Sequence, residues 1–160
     1  MFFIVSSLFL FYQKSQTLNL TVDTVNTPMM EIKDSKIYNI TFEGITAYLQ
    51  TKIAKRYKDR YELYDIFSNK KDNIKDEKLW AKKGIMQNDI LTLLGNVVYK
   101  ESNDKTLSSQ KVIYNLKKDI LSSDTPFEAI YKKSKVWGSS FVYYKKDKRL
   151  LADNIKADIK

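Results

Sequence analysis

Asp76 and Glu77 stand side by side in the run KDNIKDEK, and adjacent carboxylates are raw material for general acid–base chemistry. They sit among lysines in a turn-like stretch, the setting of a solvated hairpin tip rather than of an acid–base pair. Nothing else in the chain could join them. The sequence contains no His and no Cys, which removes imidazole catalysis, thiol nucleophiles, disulfides and the usual zinc and haem ligand sets. The sequence therefore reads as a protein that is not an enzyme and needs no metal and no cofactor.

Charge offers a second kind of chemistry. The formal net charge of +9 invites a nucleic-acid reading, but the lysines are spread along the chain and interleaved with acids. A nucleic-acid binder gathers them into a stripe or a basic helix. No nucleic-acid partner is expected. Contact with anionic lipid headgroups suits a dispersed basic surface at least as well, and Lys132, Lys133 and Lys135 are candidates for such contacts.

Membrane contact is also written at the N-terminus. MFFIVSSLFLFY holds nine strongly apolar residues among twelve and no charge. As a helix it would span roughly 18 Å, short of the roughly 30 Å hydrocarbon core. No small-residue cleavage pattern follows it, so an uncleaved membrane-anchor helix, truncated at its start, is expected rather than a signal peptide. This divides the chain into an anchor (1–13), a polar spacer (14–28) and one domain (29–160).

The elements of that domain must place any site. From Ile45 to Tyr57 the odd positions are mostly apolar, and the same parity runs on through Tyr61, Leu63 and Phe67. A helical stripe fits those letters too. The neighbours RYELYDIF, DILTLLGNVVY, KVIYNL, FEAIY and SSFVYY are short, rich in β-branched and aromatic residues, and separated by polar turns, which favours strand throughout. The predicted fold class is all-β: a twisted antiparallel jellyroll or sandwich of repeated hairpins.

Two hairpins repeat. GNVVYKESNDKTLSSQKVIYN, from Gly95, aligns with GSSFVYYKKDKRLLADNIKAD, from Gly138, so that Leu107 meets Leu150, Ser109 meets Ala152 and Val112 meets Ile155. Each copy is a glycine, a strand, a polar hairpin and L-x-[SA]-x-x-[VI]. Gly95 and Gly138 are expected to permit a bulge or tight bend, and the small residue after each Leu to keep an inward site narrow.

The blocks YNITFEGITAYLQTKIAKRY, LWAKKGIMQNDILTLLGNVVY and VWGSSFVYYKKDKRLLADNIKADI, behind an apolar N-terminus, resemble the LptC family. Its members are inner-membrane-anchored periplasmic components of the lipopolysaccharide export bridge, related to LptA. The resemblance covers most of the chain from about residue 28. It implies a single-pass inner-membrane protein with its domain in the periplasm. It further implies that lipopolysaccharide comes from the inner-membrane ABC transporter and passes to an LptA-like periplasmic protein. A soluble LptA-like bridge component, or another lipid-handling or adhesive β protein of the cell surface, is the alternative.

A carrier of acyl chains needs an apolar trough. Inward parity nominates Leu63, Leu91, Leu93, Val97, Tyr99 and Val112 as its lining, together with Tyr114, Phe127, Tyr131, Phe141 and Tyr143; ordinary core packing is the alternative role for each. The closing run NIKADIK places Ile155, Ala157 and Ile159 on one face against Lys156, Asp158 and Lys160. A short, half-charged edge strand of this kind can accept a partner strand, and the resemblance implies that the LptA-like protein docks there.

Overall fold

The computed structural model describes residues 26–42, 44–71, 76–102, 104–144, 146–147 and 149–159. The expected anchor helix lies outside them. Among the described residues, no helix is long and apolar enough to cross a membrane.

Among the described residues, twelve antiparallel strands form one sheet: β1 (Met30–Thr41), β2 (Gly44–Arg56), β3 (Tyr61–Lys71), β4 (Asp76–Gln87), β5 (Ile90–Glu101), β6 (Lys105–Asn115), β7 (Ile120–Ser123), β8 (Phe127–Tyr131), β9 (Ser134–Gly138), β10 (Ser140–Tyr144), β11 (Arg149–Asp153) and β12 (Lys156–Asp158). The first six are a meander of long strands, each paired with the next. The fold is all-β and antiparallel, as the sequence predicts, and takes the form of an open sheet.

β6 then serves two partners. Its C-terminal residues Ile113–Asn115 pair with β7, and its N-terminal residues Lys105–Ser109 pair with β8. From that fork one arm runs β7–β10–β11 and the other β8–β9–β12. The chain crosses between arms at each step, from β7 to β8, from β9 to β10 and from β11 to β12.

A corner cuts across the long strands. Asp34 and Asp65 have positive φ (49° and 51°). The ladders step over Asp34 and Lys52 between β1 and β2, over Lys52 and Asp65 between β2 and β3, and over Asp65 and Lys82 between β3 and β4. In β5 the same line arrives as a bulge at Gly95 (φ 75°) and Asn96 (φ 49°). Asn96 N donates to Gln110 Oε1 at 3.2 Å, and Gln110 Nε2 donates back to Asn96 Oδ1 at 3.1 Å. Thr51 Oγ1 lies 2.7 Å from the Tyr64 carbonyl beside the corner.

The corner corrects the expected parity. Ala47, Leu49 and Thr51 are buried as predicted, but past Lys52 the buried residue is Ala54, and past Asp65 the buried residues of β3 are Ile66 and Ser68. Phe67 therefore faces the other way. It stacks on Trp80 with centroids 5.1 Å apart and meets Tyr48 edge-on at 5.5 Å, forming an aromatic row on the outer face. Ile45 is exposed rather than inward. A left-handed residue in a strand turns the side chains that follow it to the other face, a change that simple alternation does not foresee.

Candidate functional site: an apolar trough between two arms

Inside the meander, Leu49, Leu63, Ile66, Leu79, Leu91 and Leu93 pack into a filled core with Val97, Val112 and Tyr114. Beyond β6 the arms diverge and their short strands carry too few side chains to fill the space. A cavity of about 1010 Å³ remains, walled by β4 to β11 with Ile159 in its lining. Its size is at the upper end for small-molecule sites, about 300–1,000 Å³.

Eight of the predicted lining residues face this space: Leu93, Val97, Tyr99, Val112, Phe127, Tyr131, Phe141 and Tyr143. Three do not. Leu91 and Tyr114 are sealed in the core, and Leu63 borders a separate void of about 10 Å³ beneath β1 and β2. The physical reason is the fork, since the meander side of the sheet is closely packed and the large cavity lies on the forked side. Tyr114 is held as a core residue by donating to Asp119 Oδ1 at 2.6 Å.

Sequence reasoning missed Leu107, Leu121, Ala129, Ile130, Val136 and Leu150 in the wall. For two of them the signal was present: Leu107 and Leu150 are the leucines of the repeated pattern. The others sit on strands of four or five residues, too short to show parity. At one end the wall turns polar with Glu77, Glu101, Lys105 and Thr106. Glu77 and Glu101 oppose each other across β4 and β5, and Lys105 pairs with Glu101 at 3.2 Å. Burial and the nearby Glu77 and Glu101 carboxylates push the Tyr99 hydroxyl well above its ordinary range, so it stays neutral and donates to Glu101 at 3.3 Å. Asp76 and Glu77 open β4 itself, and Asp76 pairs with Lys78 at 3.6 Å.

Two polar joints hold the arms. At the fork, Ser109 Oγ lies 3.0 Å from Ser123 Oγ, 2.9 Å from Thr125 Oγ1 and 3.1 Å from the Pro126 carbonyl. At the later crossovers, Ser139 N donates to the Asp153 carbonyl at 3.0 Å, Ser140 Oγ to Asp153 Oδ2 at 2.6 Å and Asn154 Nδ2 to Ser139 Oγ at 3.0 Å. The two repeated glycines do different work. Gly95 supplies the bulge, whereas Gly138 lies against the Phe127 ring at the joint. The copies also differ in register: Val97 pairs Ser109, but its counterpart Ser140 pairs Asp153 rather than Ala152.

The arms end in two open edges, β11 and β12. Of the predicted docking residues, Ala157 lies in β12 opposite Val136 and Ile159 lines part of the trough, while Ile155 is in the link between β11 and β12. All three are exposed, as are Leu150 and Leu151 on β11. Lys132, Lys133 and Lys135 are exposed at and beyond the β8–β9 turn, with the Lys132 ammonium 5.4 Å from the Tyr131 ring at the trough wall.

A family model described as "Lipopolysaccharide-assembly, LptC-related" matches residues 1–159. The chain belongs to this LptC-related family. It is accordingly involved in lipopolysaccharide transport, within a family of transport components rather than of enzymes. No curated protein matches the sequence. Among solved structures, the domain is similar to LptH of Pseudomonas aeruginosa, described as the LptA-homologous periplasmic component of the lipopolysaccharide transport device. The identity is 10% and the TM-score 0.40, over 85% of this chain and 97% of that one.

Proposed function

We propose that the trough carries the acyl chains of lipopolysaccharide across an aqueous compartment, between an inner-membrane ABC transporter and an LptA-like periplasmic protein. The observation behind this reading is the forked sheet, which leaves an apolar space of about 1010 Å³ open at the edges of both arms. Each methylene kept from water is worth about 0.8 kcal/mol, so a carrier works by area and needs no reactive group. The Glu101–Lys105 pair stands at the polar end of the wall, where a headgroup leaves the apolar part. In this reading the N-terminal apolar segment anchors the chain in the inner membrane with the domain on the periplasmic side. The partner's strand extends the sheet at the C-terminal arms.

Photo-crosslinking tests it. A crosslinker at Tyr143 or Leu150, both in the wall, should capture lipopolysaccharide in cells, whereas one at Lys100 or Asp147, both exposed, should not. Equal capture at both pairs would mean adsorption to a basic surface and would sink the trough reading.

A further inference from the structure

The β1–β2 hairpin ends in an apolar tip that the trough does not use. Phe42 is 100% exposed, Ile40 69%, Ile45 59% and Tyr38 46%. Ile40 and Ile45 are cross-strand partners, so the apolar residues form one continuous patch at the end of the sheet's outermost strand. Lys36 on β1 and Lys70 and Lys71 at the end of β3 flank it, and none of the three makes an ion pair among the described residues. The geometry points to a membrane-surface contact: the hairpin tip dips Phe42, Ile40 and Ile45 into the interface of an anionic bilayer while the lysines meet its headgroups.

The shape favours lipid over protein. A stable protein interface needs about 800 Å² from each partner, whereas the exposed apolar side chains at this tip are four. A few apolar side chains at a lysine-flanked hairpin tip suit an interface that moulds itself around them, with an aromatic ring and ammonium groups at headgroup depth. The tether allows it. Residues 14–29 reach at most about 55 Å when extended, and β1 is about 40 Å long. A chain whose apolar N-terminal segment sits in a bilayer can therefore bring the far end of β1 back to the same surface. The contact is independent of whether the trough carries lipid.

The absence of cysteine makes the test direct. Phe42→Cys and, at the opposite end of the sheet, Lys117→Cys are each spin-labelled in the full chain and reconstituted into phosphatidylcholine vesicles containing phosphatidylglycerol. The label at 42 should collide with oxygen in preference to a water-soluble nickel chelate, and the label at 117 should show the reverse preference. Adding Lys70→Glu and Lys71→Glu, or omitting phosphatidylglycerol, should abolish the preference at 42. A label at 42 as open to nickel as that at 117 overturns the proposal. So does a label at 42 shielded equally in detergent without a bilayer, which would mark a contact with a second copy of the chain.

Discussion

The rings of Phe127 and Phe141 meet edge to face, with centroids 5.2 Å apart and planes at 76°, and each comes from a different arm of the sheet. Phe127 opens β8 and Phe141 lies in β10, so this pair bridges the fork at the inner end of the trough. Gly138, opposite Phe127 in the ladder, makes the bridge possible. A Cβ there would sit 2.8 Å from Phe127 Cζ, closer still to Cε1, and 3.0 Å from the Asp153 carbonyl.

Gly138→Ala should therefore destabilise the domain by about 1–3 kcal/mol, the usual range for overpacking. Chemical denaturation of the full chain in detergent reads this directly. Because the closest clash is with the Phe127 ring, Phe127→Leu in the same molecule should recover part of the loss, a coupling that a double-mutant cycle isolates. Additive losses would mean that the ring is not what keeps position 138 small.

Glu62 is the one described carboxylate that is both buried and richly partnered: its side chain is 8% exposed, 2.7 Å from Arg60 Nε, 3.0 Å from Lys83 Nζ and 2.5 Å from the Tyr64 hydroxyl. Burial pushes its pKa up, but hydrogen bonds from Tyr64, Arg60 and Lys83 outweigh that and bring it from 4.5 to about 2. The folded value is depressed, so the stabilisation is present in full above pH 4.5 and is lost as pH falls towards 2. Glu62→Gln should cost about 1–3 kcal/mol at pH 7, because Lys83 loses its counter-charge and Arg60 loses one carboxylate while keeping Asp59. It should also flatten the fall in melting temperature between pH 4.5 and 2. An unchanged acid profile in the variant would remove Glu62 from the account.

The fork depends on a hydroxyl at position 109. The sequence called for a small residue there, and the structure shows that size is only half of the requirement, since Ser109 ties together Ser123, Thr125 and the Pro126 carbonyl. Ser109→Ala keeps the volume but strips the hub, at an expected cost of about 1–2 kcal/mol. Ser109→Val adds bulk as well and should cost more. Equal stability of wild type and Ser109→Ala would mean that the remaining hydroxyls satisfy one another without it.

What could be read from the sequence follows from how far each signal reaches. Long strands with turns between them declare themselves, because alternation over eleven to thirteen residues outweighs any one exception. The corner at Asp34, Lys52 and Asp65 left a trace only in the aspartates, which tolerate a left-handed backbone; with solvated lysines all around, two more acids carry no visible message. The fork was out of reach for a different reason. That β6 pairs with two strands is a property of pairing at a distance, and KVIYNL reads the same with one partner or two. So Phe141 and Tyr143 could be nominated as inward, but nothing in the letters separated a hollow interior from the filled one around Leu91 and Tyr114.

β12 is an edge strand among the described residues. Lys156, Ala157 and Asp158 pair with Trp137, Val136 and Lys135, and among the described residues no second strand joins β12 on its other side. Of two successive residues in an edge strand, one turns its N–H towards the neighbour and the other towards the open side. Proline removes the N–H wherever it stands. Lys156→Pro and Ala157→Pro should therefore behave differently. One breaks the ladder to β9 and lowers the melting temperature; the other leaves the domain intact and removes a donor that an incoming strand needs. That second variant should fail to retain an LptA-like periplasmic partner in pull-down, while Lys156→Gln, which changes charge but not backbone, should retain it. If a fully stable proline variant at this edge still binds the partner as wild type does, docking belongs to another edge. The candidate would then be β11, where Leu150 and Leu151 are 56% and 51% exposed, and Leu151→Pro would be the variant that loses the partner.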